Sequence, residues 1–273
     1  MRIIIFGSNG MLGTYLRKHF SQKYDVMTLT REHIDLNSSR DDIYDFLKGI
    51  VNSDDIIINA AGVIHQRNPE PEEMVNVNGA FPHILQDIKE DVECEVFHIT
   101  TDCVFTGQQI EPENSLLSYD ENSHHDALDI YGRTKSLGEA PKLSTIRTSI
   151  IGEEVSNKLS LLEWAKSKKG EIAFGYVDHL WNGVTCHELC LLIDNMISDN
   201  FYWEGVRHFH SPEYVNKFSL LNIISDVYGL NIQTKPTTKG SCSRVLKSIH
   251  NEYRVMKSIE QQIKELKEIN IYE

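Results

Sequence analysis

Short apolar runs alternate with amphipathic stretches through the first half of the chain. Strand-like runs fall at Arg2–Phe6, Asp25–Leu29, Asp55–Asn59, Val96–Thr100 and Leu143–Arg147, with helical periodicity at Leu12–Phe20, Asp41–Ile50, Glu72–Ile88 and Ile130–Ala140. That alternation predicts an α/β fold, a parallel sheet wrapped by helices on both faces. After about residue 150 the rhythm changes. Leu159–Lys168, His187–Ser198, Lys217–Tyr228 and Ser258–Ile269 read as helices joined by irregular segments. The expectation is a doubly wound Rossmann domain over 1–150 and a smaller, mainly helical substrate lobe over 151–273, with a soft boundary and some later segments returning to the sheet. One long polar stretch, Thr106–Asp129, carries several acids and His124-His125; loops of this length are usually functional or mobile.

Composition narrows the classes of partner. Of 273 residues, 40% are hydrophobic and 25% charged, with a net charge of −13, which is ordinary globular usage set against nucleic-acid or anionic-membrane binding. Five cysteines show no CxxC pair and no zinc spacing, so reduced thiols and no metal are expected. With no leader-like or membrane-length apolar run, the expected setting is the cytoplasm.

Chemistry enters at the first turn. Ile3-Ile4-Ile5-Phe6 runs into Gly7-Ser8-Asn9-Gly10-Met11-Leu12-Gly13 and then a helical pattern. Gly7 permits a tight turn, Gly10 lets backbone approach a pyrophosphate, and Gly13 allows helix to pack on strand. The spacing is GxxGxxG, and a preceding strand and following helix supply the context a dinucleotide site needs. The second strand ends Thr28-Leu29-Thr30-Arg31 without an acid for a ribose 2′-hydroxyl. Arg31 suits a 2′-phosphate instead, favouring NADPH with NADH left open.

Tyr131 and Lys135 form a YxxxK pair, which shares one helix face. A ketone accepting hydride develops charge on oxygen, and a phenol can protonate it. A free tyrosine titrates near ~10, and the expectation is that a neighbouring ammonium lowers that value. Thirty residues earlier, Thr100-Thr101-Asp102 places hydroxyls at a strand's end, where one can steady the reacting oxygen.

Taken together, Gly7–Gly13, Asn59-Ala60-Ala61, Thr100–Phe105, Tyr131–Lys135 and Arg147-Thr148-Ser149 resemble the dTDP-4-dehydrorhamnose reductase family, extended short-chain dehydrogenases acting on nucleotide sugars. The resemblance implies a catalytic triad of Thr101, Tyr131 and Lys135. It implies cofactor contacts at Gly7, Asn9, Gly10, Met11, Leu12, Asn59, Ala60, Ala61 and Lys135. Asp102, Cys103 and Val104 would flank the substrate, joined by His65 after the Asn59 turn. Many members carry Tyr at the position of Cys103 and Trp at that of Ile150, so the sugar is not fixed by the likeness. Trp181 is a candidate for stacking on a base or sugar ring, and Arg244, near Lys239 and Lys247, for clamping a diphosphate.

The implied function is NADPH-dependent reduction of a nucleotide-linked 4-keto-6-deoxyhexose in sugar-nucleotide biosynthesis for surface polysaccharide, with a homodimer as the candidate assembly. Three alternatives stay open: a UDP-N-acetyl-hexosamine 4-keto reductase, an epimerase or epimerase-reductase using Cys103, and a non-catalytic cofactor-binding regulatory subunit.

Overall fold

The computed structural model describes residues 1–108 and 118–272, so part of the Thr106–Asp129 loop lies outside the described residues. The chain divides into two compact units. The first takes residues 1–104, 127–147 and 193–207; the second takes 148–192, 208–273 and the described residues of 105–126.

The first unit carries the main sheet. Its elements in chain order are β1 (Arg2–Phe6), α1 (Met11–Phe20), β2 (Asp25–Leu29), α2 (Arg40–Ile50), β3 (Asp55–Asn59), α3 (Pro71–Met74), a π-helical turn (Val75–Ala80), α4 (Phe81–Val92), β4 (Glu95–Thr101), α5 (Ile130–Leu137) and β5 (Ser144–Thr148). A sixth strand, Gly205–His208, joins at the edge beside β5, and the order continues β4, β3, β1, β2. Pairing of β1 with β2, β1 with β3 and β3 with β4 is parallel. Every residue of Ile3–Phe6 and of β3 is buried, as expected for strands covered on both faces. On one face Ile4, Phe6, Ile57 and Val96 pack against Ile43 and Leu47 of α2 and Phe81, Ile84, Leu85 and Ile88 of α4.

Register decides where a ligand could sit. Phe6 lies level with both Leu29 and Asn59, so β1, β2 and β3 end together. From β1 the chain goes to β2 on one side and next to β3 on the other. The loops leaving β1 and β3 therefore part company at their carboxyl ends, the crevice where doubly wound sheets bind ligands. The opposite ends are tied by Arg2, which donates to Asp55 and, at 2.7 Å, to the Ile50 carbonyl.

The second unit has helices Leu161–Ser167, Lys217–Tyr228 and Ile259–Lys267 plus the first turns of Cys186–Ser198. Ser160, Asn216 and Ser258 cap the first three through their side chains. Between them run short strands: Ile172–Tyr176 beside Gln233–Thr237, Ile150–Ile151 beside Val184–Thr185, and His179–Trp181 between Val215–Asn216 and Cys242–Ser243. No helix among the described residues is long and apolar enough to cross a membrane.

Candidate functional site

The turn after β1 is built by backbone contacts that exclude side chains. Gly7 has φ +73°, a left-handed conformation, and a Cβ there would lie 2.6 Å from the Ala60 carbonyl oxygen. A Cβ on Gly13 would lie 2.0 Å from the Gly7 carbonyl, so helix and turn are in direct backbone contact. The Ala60 N–H donates to the Phe6 carbonyl at 3.1 Å, joining the ends of β1 and β3. Gly10 caps α1 in an extended conformation with no side-chain cap, and no acid sits in the first turn. The first N–H groups of α1 therefore point outward with nothing negative supplied by the helix, and they suit an anion such as a pyrophosphate. This cradle fits a dinucleotide. Asn9 is exposed, Gly10 and Met11 are partly exposed, and Leu12 is buried.

At the end of β3, Asn59 is fully buried. Its Oδ1 accepts the Ala61 N–H at 3.1 Å and its amide donates to His98 Nδ1 at 3.1 Å. Asn59 thus shapes the Ala60-Ala61 turn, and its side chain is not presented to a ligand. His98 is wholly buried, and burial, followed by the charges of Lys135 and His83, holds its imidazole well below the usual range.

Between the two adjacent threonines of β4, strand alternation chooses one. The Thr101 hydroxyl accepts the Cys103 N–H at 3.1 Å, donates to Asp102 at 3.1 Å and is hydrogen-bonded to the Tyr131 phenol. Tyr131 and Lys135 lie on α5, whose first turn is capped by Asp129 accepting the Gly132 N–H at 2.8 Å. The Ala127 N–H bonds the Val104 carbonyl at 3.1 Å, holding the helix against the β4 exit. Lys135 is buried and donates to the Ile99 carbonyl at 3.0 Å. Thr101, Tyr131 and Lys135 are thereby brought together in one unit, at the same sheet edge as the Gly7 turn.

The electrostatics correct one expectation. Tyr131 is pushed above the ordinary phenol range, by burial first, then by the neighbouring Cys103, Asp102 and Asp129, with only the Thr101 hydrogen bond pulling it down. The expected lowering by the ammonium fails because desolvation dominates, and Tyr131 is a phenol at neutral pH. Burial pushes Lys135 down to about 8, against the pull of Glu139 one turn on. Glu139 is itself in a buried ion pair with Arg147, whose Nε donates to it at 2.9 Å.

The remaining residues divide. His65 stands beside the phenol: its ring centroid is 6.1 Å from that of Tyr131 and its Nε2 is 3.3 Å from Asp129. Cys103 is partly exposed, its thiol 3.7 Å from Asp102. Asp102 is buried and already accepts from Thr101. Val104 is wholly buried, so its side chain is a packing residue and not a substrate contact. Arg31 is exposed and paired with Glu73. Trp181 and Arg244 belong to the second unit. Trp181 is 5% exposed, donates to Ser149 at 2.8 Å and lies under Lys217, a packed residue with no face open for stacking. Arg244 donates to the Phe105 carbonyl at 2.8 Å, while Lys247 pairs with Asp120 at 3.6 Å.

Asn78 was not legible as a site residue. Fully buried in the π-helical turn, it accepts the Val63 N–H and donates to the Val63 carbonyl, both at 2.9 Å, and to Thr134 at 3.3 Å. It locks the loop after β3 to the helix carrying Tyr131 and Lys135. Its one signal is a polar residue within an otherwise amphipathic helical run; π-bulges recur at functional sites.

Sheet order, glycine cradle and the Thr–Tyr–Lys cluster together define a Rossmann-type protein of short-chain dehydrogenase character. Residues 1–159 match the family described as RmlD substrate binding domain, and the chain belongs to this family, that of the dTDP-4-dehydrorhamnose reductases. A dTDP-4-dehydrorhamnose reductase of Mycolicibacterium smegmatis is 30% identical over 146 residues, covering 52% of this chain and 42% of that protein. The chain thus matches about half the length of its curated relatives. Among solved structures, a dTDP-4-dehydrorhamnose reductase of Bacillus anthracis in complex with NADP superposes with a TM-score of 0.80 at 21% identity, covering 97% of this chain and 98% of the other. One from Clostridium acetobutylicum superposes at 0.79 and 20% identity, with coverage of 97% and 98%.

Proposed function

We propose that this protein is an NADPH-dependent reductase of a nucleotide-linked 4-keto-6-deoxyhexose, acting in sugar-nucleotide biosynthesis for surface polysaccharide. The observation that carries the reading is the Thr101–Tyr131–Lys135 group at the β4 exit, with Thr101 and Lys135 buried and Tyr131 partly exposed, on the same sheet edge as the tight Gly7 turn. The names of the relatives and the NADP bound to the Bacillus anthracis structure support it.

Bound NADPH supplies the hydride. Tyr131, half-buried and held as a phenol, gives its proton to the carbonyl oxygen as negative charge gathers there. The Thr101 hydroxyl, already in contact with that phenol, would turn its proton from Asp102 toward the same oxygen to steady it. Lys135 holds the nicotinamide ribose and offsets the charge left on Tyr131. Gly7, Gly10, Met11 and Leu12 cradle the pyrophosphate, with Asn9 at the rim, and the Ala60-Ala61 turn, shaped by Asn59, forms the opposite wall. Arg31 takes the 2′-phosphate. The exposed His65 and the partly exposed Cys103, both beside Tyr131, line the sugar site, and a nucleotide-sugar substrate is the expected partner.

The direct test is NADPH oxidation by the purified chain against dTDP-, UDP- and GDP-linked 4-keto sugars. Turnover with a dTDP-linked 4-keto-6-deoxyhexose above the others is expected. A preference for a UDP-linked N-acetyl sugar would replace the substrate assignment, and no oxidation with any of them would overturn the reductase reading.

A further inference from the structure

The arginine assigned to the 2′-phosphate already has an anionic partner. Arg31 stands two residues past Leu29, which is level with Phe6 at the mouth of the glycine turn. Its guanidinium Nη2 is ion-paired with Glu73 Oε1, 42 positions along the chain and on α3, the short helix that follows the β3 loop. The Arg31 side chain is 70% exposed while that of Glu73 is 23% exposed. Among the acids of this segment, Glu70 and Glu72 are exposed and only Glu73 is partly buried against the protein. Glu73 is therefore the anchored member, and Arg31 is the arm that reaches it.

We propose that Glu73 sets cofactor selectivity by competing with the 2′-phosphate for Arg31. The inference rests on the reading, given above, that Arg31 takes that phosphate. Either bidentate fork of a guanidinium, Nε with Nη2 or Nη1 with Nη2, uses Nη2, so the nitrogen that Glu73 holds is one that a phosphate gripped in good geometry also needs. A phosphate monoester, with its larger charge and three acceptor oxygens, wins that exchange, but only after the carboxylate has been displaced. NADH has no 2′-phosphate and leaves the pair intact. Glu73 therefore taxes NADPH binding and spares NADH, which narrows the discrimination that Arg31 would otherwise give. An exposed ion pair of this kind is worth a factor of about two to five in an equilibrium.

The test is a double-mutant cycle on the full chain, with dissociation constants for NADPH and NADH measured separately by fluorescence titration without any sugar substrate. Glu73→Gln should tighten NADPH about two- to fivefold, leave NADH within error, and lose its effect on NADPH in an Arg31→Ala background. If the gain survives without Arg31, simple repulsion between Glu73 and the phosphate is responsible and competition is overturned. The idea is also overturned if Glu73→Gln leaves the NADPH-to-NADH ratio unchanged while Arg31→Ala lowers it. Should Arg31→Ala itself leave the ratio unchanged, the assignment of Arg31 to the phosphate fails, and the inference with it.

Discussion

Lys135 places a buried charge in the proposed site at the expense of the fold. Burial places its folded pKa at about 8, below the ordinary lysine value of 10.5. A depressed lysine pKa means that the charged form costs stability in the folded state. That cost is fully present below pH 8 and fades as pH rises from about 8 to 10.5, where the unfolded chain also loses its proton. Lys135→Met should therefore melt no lower than the parent at pH 7, lose that relative advantage by about pH 10.5, and lose turnover throughout. Melting curves at the two pH values check the sign; an advantage that grows with pH would contradict it. Arg147 and Glu139, by contrast, form a buried ion pair. Of these residues, Tyr131 and Lys135 were legible in the sequence because YxxxK is a helical spacing. The shifts were not, because burial follows from the tertiary packing of β4 and α5.

At the level of elements, apolar runs located β1, β2 and β3 to the residue; β1 and β3 are covered on both faces and leave an almost unbroken hydrophobic signature, while the edge strand β2 was legible from its Val26-Met27 and Leu29 run between polar ends. The run Glu72–Ile88 was legible as one helix, yet it contains α3, a π-helical turn and α4. Inserting a π turn changes hydrogen-bond pairing with little change in apolar periodicity, so the pattern hides it. That turn carries Asn78, whose side chain satisfies both backbone groups of buried Val63 and reaches Thr134 on α5. Asn78→Ala leaves those groups unpaired and should cost about 2–3 kcal/mol of stability. Because the clamp orients α5, turnover should fall further than stability alone requires. Chemical denaturation beside steady-state kinetics checks both, and a neutral change in stability would remove Asn78 from this role. The two- and three-residue strands of the second unit were not legible, being too short to show any period.

For the whole molecule, alternation of strands and helices was enough to expose a doubly wound sheet, but not the path of the chain between units. Residues 193–207 fold with the first unit, where Asp194 accepts from His19, Lys23 and Tyr24 at 2.8 to 3.0 Å. In the second unit, Glu121 of the polar loop accepts from the His208 and Ile249 N–H groups and from Ser248. Such links join residues up to 175 positions apart, and no local pattern announces them. What the sheet achieves is a meeting of the β1, β3 and β4 exits, placing the glycine cradle, the Ala60-Ala61 turn and the phenol on one edge. The central claim is that Tyr131 donates the proton there while the cradle holds the cofactor independently. The measurement that tests it most directly is Tyr131→Phe, assayed for keto-sugar turnover and for NADPH affinity on the same preparation. Turnover should fall by at least about a hundredfold with the NADPH dissociation constant nearly unchanged; full turnover in the phenylalanine variant would contradict the account.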